Sequence, residues 1–202
     1  MEERKRKNGV LTPANLVTIF RVVLTPIWLL GAELSVGGTG EFSISAFIVF
    51  VGYAIISLTD KLDGYLARSR NEVTSFGKFL DPIADKLAVV VALCFLLEIG
   101  MTNAWVLLVI IAREFLVSGL RMVVATQGVV VAASNLGKWK TAVTMVSICG
   151  LLLARSLPLP AADVMANVSG VGMLVAVALT IWSGVDYFVK CWPYLLSSED
   201  EA

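Results

Sequence analysis

Histidine is missing from this 202-residue chain, and with it go Ser/His and Cys/His nucleophilic catalysis and any histidine-ligated metal. Cysteine is scarce. Cys94, Cys149 and Cys191 stand singly, without the paired spacing of a disulfide framework or a zinc site, and they read as packing residues. Charge is scarce too, at 16% of residues against 57% hydrophobic ones and a mean hydropathy of +0.83. That balance excludes a soluble domain and marks an integral membrane protein.

What is abundant is apolar sequence in long runs. A crossing needs roughly 20 apolar residues, and six runs reach that length, at about 16–34, 42–67, 76–97, 103–125, 138–157 and 164–189. The expected fold is therefore all-α and integral to the membrane: six transmembrane helices preceded by a short interfacial amphipathic helix. Residues 11–22 mix apolar and polar positions behind a basic cluster, as a helix lying in the headgroup region does. Residues 1–15 form a cytosolic basic arm and the start of that juxtamembrane helix, 16–190 a single six-helix domain, and 191–202 a cytosolic tail with a disordered acidic end.

The formal net charge of zero hides an asymmetry. Arg4, Lys5, Arg6 and Lys7, then Lys61, Arg68, Arg70, Lys78 and Lys86, then Arg121, Lys138 and Lys140, and finally Lys190 all fall on one side of a six-span layout. The opposite connections carry Glu41, Glu98 and Asp163, with Arg155 against them. The positive-inside rule makes the basic side cytoplasmic, with both termini in the cytosol. Arg21 interrupts the first apolar run and no small-residue cleavage site follows, so the start is expected to stay uncleaved. With no organelle-targeting segment visible, the expected location is a bacterial plasma membrane. The tryptophans Trp28, Trp105, Trp182 and Trp192 read as interface anchors or packing.

Into this apolar background the chain sets four aspartates, spaced Asp60-x2-Asp63-Gly64-x2-Ala67-Arg68-x8-Gly77-x3-Asp81-x3-Asp85. Carboxylates inside membrane helices are costly and mark function. Separations of three and four residues put each pair on one helix face, and a tight connection at 69–76 brings the two faces together. At 1.5 Å per residue, Asp60 and Asp63 lie about 27 and 31 Å along the second span, near the cytoplasmic edge of the bilayer core. Four converging carboxylates call for hard divalent cations, Mg²⁺ or Mn²⁺, which in turn attract phosphate. Two other readings compete: the small residues simply let helices pack closely, or the carboxylates line a cation pathway, which would have to continue into the later spans.

The complete string matches, at every defined position, the signature of the CDP-alcohol phosphotransferase family, which the chain resembles in its six-span layout as well. Ile111-Ala112-Arg113-Glu114-Phe115, Leu120-Arg121 and Gly137-Lys138-Trp139-Lys140-Thr141 are similar to segments of the phosphatidylglycerophosphate synthases within that family. The resemblance implies transfer of the phosphatidyl group of CDP-diacylglycerol to sn-glycerol 3-phosphate with release of CMP, a step of phosphatidylglycerol biosynthesis. It implies two metal ions on Asp60, Asp63, Asp81 and Asp85, with Asp85 also the catalytic base. It places the CDP moiety against Asp63, Gly64, Ala67, Arg68 and Gly77, and it implies a homodimer.

Arg113 lies deep enough in the fourth span that it must face a cavity, Glu114 or an anion. Arg121, eight positions later, is about 12 Å along the same helix and lines the same groove. With Lys138 these residues are expected to bind the acceptor's phosphate, although cations at Arg121 and Lys138 also satisfy topology alone. Lys140 reads as a topological charge, and Glu114 as orienting an arginine. Other acceptors within the same chemistry are inositol phosphate, serine and a second phosphatidylglycerol. Outside that chemistry stands a carboxylate-based cation transporter.

Overall fold

The computed structural model describes residues 13–70, 75–126 and 135–197; within these ranges the side chains of 13–14, 60–70, 75–79, 81–82, 85, 126, 135 and 195–197 lie outside the description. The basic arm before residue 13 and the tail beyond 197 fall outside it too. The described residues form six α-helices: α1 (Pro13–Leu34), α2 (Ile44–Arg70), α3 (Ser75–Glu98), α4 (Ala104–Thr126), α5 (Asn135–Ala154) and α6 (Ala161–Ser197).

Three of them are long and apolar enough to cross a membrane, through residues 15–34, 136–154 and 161–194. In α2 the described side chains end at Thr59, and those before it form a continuous apolar stretch, Ile44–Thr59. Beyond it the sequence turns to Asp60, Lys61 and Asp63; α3 opens on Lys78, Asp81, Asp85 and Lys86, and α4 is broken by Arg113, Glu114 and Arg121. Charges thus interrupt the apolar sequence of α3 and α4 and close that of α2.

Polarity in this bundle is inverted relative to a soluble protein. Leu16, Phe20, Val23, Ile27 and Leu30 of α1 are about half exposed, whereas Asn15, Thr18, Arg21 and Thr25 are at most 3% exposed. Their spacing of three and four residues draws a polar stripe that α1 turns inward against α2 and α3. The expected short interfacial helix is not separate from the first span. Residues 13–22 are the first turns of one continuous helix, and their amphipathicity serves helix packing, with the apolar side facing out. Thr25 secures the stripe locally, its hydroxyl donating to the Arg21 carbonyl at 2.9 Å.

The apolar centre gathers where α1, α2 and α3 meet. Trp28 lies 5.4 Å from Tyr53 and 5.9 Å from Phe95 between ring centroids, and its indole N–H donates to the Val49 carbonyl at 2.8 Å. Trp28 is therefore packing, while Trp105, Trp182 and Trp192 are exposed, as lipid-facing rings are. Cys191 is buried, Cys149 half-buried and Cys94 exposed, all as free thiols. Between α5 and α6 small residues permit close approach: a Cβ on Gly172 would stand 2.7 Å from the Ser147 hydroxyl oxygen.

The end of the bundle that holds the α1–α2 and α5–α6 connections is tied down. The Arg155 guanidinium donates to the Ser35 hydroxyl at 2.5 Å and the Ser35 carbonyl at 2.7 Å, and it lies 5.2 Å from the Phe95 ring centroid. Backbone bonds from Gly38 to Arg155, from Ser43 to Ser156 and from Leu159 to Gly40 add to the seam. Gly38 and Gly40 supply the positive φ angles, 74° and 84°, that this connection requires. The Ser43 hydroxyl accepts from the Ala46 amide and so caps α2; the Asn103 side chain caps α4 in the same way.

Candidate active site

At the opposite end, α2 finishes and α3 begins. Asp60, Asp63, Gly64, Ala67 and Arg68 occupy the last turns of α2, and Gly77, Asp81 and Asp85 the first turns of α3. The intervening residues 71–74 allow the two helix ends to be no more than about 18 Å apart. The motif's halves are thus brought together by chain connectivity, while its side chains lie outside the described residues. As a donor set, four carboxylates on two successive helices suit a hard divalent cation, since no thiolate or imidazole competes for the position.

Beside the motif, starting from Lys86 next to Asp85, a cavity of about 530 Å³ opens between α3, α4 and α5. Its polar wall consists of Lys86, Arg113, Glu114, Ser118, Arg121, Lys140, Thr141 and Thr144; Val89, Val90, Ile110, Val117 and Met145 close the rest. Glu114 is the hub. It meets Arg113 at 3.2 Å and Lys86 at 3.8 Å, and it forms a hydrogen-bonded ion pair with Lys140. Lys86 also reaches the Ser118 hydroxyl at 2.5 Å. Among the described side chains, one carboxylate shared among three cations leaves positive charge in excess, to which Arg121 adds. A cavity of that sign attracts anions, and its arginines can grip a phosphate through paired hydrogen bonds.

Arg113 shows how the helices make room for this cluster. Its side chain is 13% exposed, and its stem passes so close to Gly184 of α6 that a Cβ there would lie 3.2 Å from the Arg113 Cγ. Its Nε is buried without a hydrogen-bond partner among the described residues. A buried guanidinium N–H left without a partner is costly, and an anion in the cavity would satisfy it.

The structure brings Arg113 and Arg121 to one cavity wall. Lys138 is not among the lining residues and is exposed; Lys140 stands there instead, 6% exposed. Two residues along a helix rotate a side chain by about 200°, so the two lysines cannot share a face. Lys140 is therefore far more than a topological charge. Its signal was present in the sequence: Lys140, Thr144 and Ser147 recur at four and three residues and are all buried, a polar stripe inside an apolar helix. Lys86 was read for topology alone, and its place in the cavity wall follows from its position one residue after Asp85.

Comparison with known proteins adds to this geometry. The sequence profile of the CDP-alcohol phosphatidyltransferase family matches residues 11–182. The CDP-diacylglycerol–glycerol-3-phosphate 3-phosphatidyltransferase of Bacillus subtilis is 41% identical over 191 residues, which cover 91% of this chain and 97% of that protein. A probable phosphatidylglycerophosphate synthase of Mycobacterium tuberculosis is 39% identical over 177 residues, 88% of this chain and 80% of its own. A CMP-forming cardiolipin synthase of rice is also 39% identical, across 93% of this chain and 59% of the longer plant protein.

Proposed function

This chain belongs to the CDP-alcohol phosphatidyltransferase family, and from that premise we propose that it transfers the phosphatidyl group of CDP-diacylglycerol to sn-glycerol 3-phosphate, yielding phosphatidylglycerophosphate and CMP. The observation that carries this reading is the near full-length similarity to the Bacillus subtilis enzyme of that name. The cationic cavity supports it independently, because a soluble phosphomonoester is the kind of acceptor such a wall holds. The rice cardiolipin synthase shares CMP formation, so the acceptor is what an assay has to discriminate.

In the proposed reaction the acceptor's phosphate sits against Arg113, Arg121 and Lys140, which aims its free hydroxyl towards the aspartate motif. Asp85 takes the hydroxyl proton; the oxygen forms its bond to the phosphatidyl phosphorus, and the bond from that phosphorus to the CMP oxygen breaks. A single displacement suffices, and no covalent enzyme intermediate is needed. Gly64, Ala67 and Gly77 are small where the nucleotide approaches the backbone, and Arg68 neutralises its phosphate. Asp60, Asp63, Asp81 and Asp85 would hold two divalent ions, Mg²⁺ or Mn²⁺, whose chemistry is to stabilise charge on the pyrophosphate and the departing CMP.

The same reading gives the membrane arrangement. All six helices cross the bilayer of a plasma membrane, with the motif and cavity at the cytoplasmic side, where the positive-inside rule puts the basic residues. Helix α6, at 37 residues or about 55 Å, extends past a core of about 30 Å, and its Asp186–Lys190 pair, at 2.7 Å, falls in that extension. A homodimer is proposed from the family resemblance. The decisive assay is CMP release by the purified protein from CDP-diacylglycerol with glycerol 3-phosphate, inositol phosphate, serine or phosphatidylglycerol, with and without a chelator. Release with phosphatidylglycerol in place of glycerol 3-phosphate would overturn the assignment.

A further inference from the structure

The cations of the cavity wall are held in two different ways. Lys86, Arg113 and Lys140 all meet Glu114, whereas Arg121 sits with its guanidinium carbon 5.4 Å from the centroid of the Tyr187 ring. Tyr187 belongs to α6, is 2% exposed, and is packed against Val117 and Val124 of α4 together with Cys191. Arg121 itself is exposed on the cavity side of α4. A rigid, buried ring therefore stands behind a long and otherwise flexible side chain.

The chemistry of this contact differs from that of a salt bridge. A guanidinium over an aromatic face is attracted by the ring quadrupole, and the face takes up none of its in-plane N–H donors. A carboxylate partner would occupy those donors and cancel the charge. We infer that Tyr187 is a positioning residue for the acceptor site: its ring face fixes Arg121 so that the guanidinium fork meets the acceptor's phosphate already oriented. This rests on the reading above that the cavity receives the acceptor phosphate. Pre-orientation matters because an unrestrained arginine has to give up rotamer freedom each time ligand binds.

The test is steady-state kinetics of the full-length protein in lipid nanodiscs, with CDP-diacylglycerol and glycerol 3-phosphate. Tyr187→Phe keeps the ring face and should leave the acceptor KM within about twofold of the unaltered protein. Phenylalanines carrying one, two and three ring fluorines at this position keep the shape while draining the quadrupole; the acceptor KM should climb stepwise along that series. Tyr187→Leu should raise it about tenfold, equivalent to about 1.4 kcal/mol, with kcat and the CDP-diacylglycerol KM altered far less. In Arg121→Ala the acceptor KM should rise, and adding Tyr187→Leu to it should cause no further increase.

A flat fluorine series, or effects of Tyr187→Leu and Arg121→Ala that multiply, would overturn the positioning role while leaving the acceptor site standing. An unchanged acceptor KM in Arg121→Ala would overturn the site and the inference together. The fluorinated series is nearly isosteric, so it decides the matter even where Tyr187→Leu does not fold.

Discussion

Glu114 of α4 and Lys140 of α5 form an ion pair across the cavity wall, with the Lys140 side chain 7% and the Glu114 side chain 23% exposed. A pair this sheltered from water is costly to break from one side, because the surviving charge is left behind in a poor solvent. Glu114→Gln strands Lys140, Arg113 and Lys86 together and should lower stability by about 3 kcal/mol. Thermal melting of the detergent-solubilised variant would register the drop. The double variant Glu114→Gln, Lys140→Met should lose less than the sum of its single changes.

Arg113→Ala removes the buried guanidinium whose Nε lacks a partner among the described residues. Its acceptor KM should rise at least tenfold while the KM for CDP-diacylglycerol stays near that of the parent protein. Equal increases for both substrates would disprove a contact specific to the acceptor phosphate.

Lys138 and Lys140 separate two accounts of the same segment. Because Lys140 lines the cavity and Lys138 does not, Lys140→Ala should weaken acceptor binding far more than Lys138→Ala. The reverse order in a side-by-side kinetic comparison would restore the reading made from the sequence.

Asp85→Asn should abolish turnover yet leave CDP-diacylglycerol binding largely intact, since the change removes a base and retains the side-chain volume. Chelation of divalent ions should stop CMP release, and Mg²⁺ or Mn²⁺ should restore it. Normal turnover in the purified variant would exclude Asp85 as the base.

Gly172→Ala places a methyl 2.7 Å from the Ser147 hydroxyl oxygen but 3.8 Å from its Cβ, so the hydroxyl has to rotate away while the helices keep their spacing. A loss of about 1 kcal/mol is expected, at the low end of overpacking costs. The companion change Ser147→Ala should recover part of it, as measured by melting temperature.

Much of the architecture was legible because helix-forming apolar runs have a length scale that the bilayer sets. The six runs became six helices among the described residues, with most ends displaced by a few residues and the end of α6 by eight; local chemistry decides such ends, as at Ser43 and Asn103, whose side chains bond a free amide in the first turn of α2 and α4. Direction along the helix axis was harder to read. Residues 13–22 have the composition of an interfacial helix, and composition alone does not reveal that Asn15, Thr18, Arg21 and Thr25 turn inward. At the site, Arg113 was readable because a deep arginine demands a partner, and Arg121 through its helical spacing from Arg113. Lys140 was passed over although its polar stripe with Thr144 and Ser147 was in the sequence, because a lysine near a helix end satisfies topology equally well and its partner, Glu114, lies 26 residues earlier. The ring of Tyr187 escaped attention for a similar reason: an aromatic residue in α6 looks like any other packing residue until α4 is laid beside it.

The Arg155 clasp sets how such a bundle can breathe. Guanidinium and backbone bonds fasten the 35–43 connection to residues 155–159, so the helices behave like the ribs of a fan pinned at one edge. Spreading them is resisted at this pin. Loosening the pin through Arg155→Ala would therefore degrade thermal endurance well before it altered the fit of either substrate.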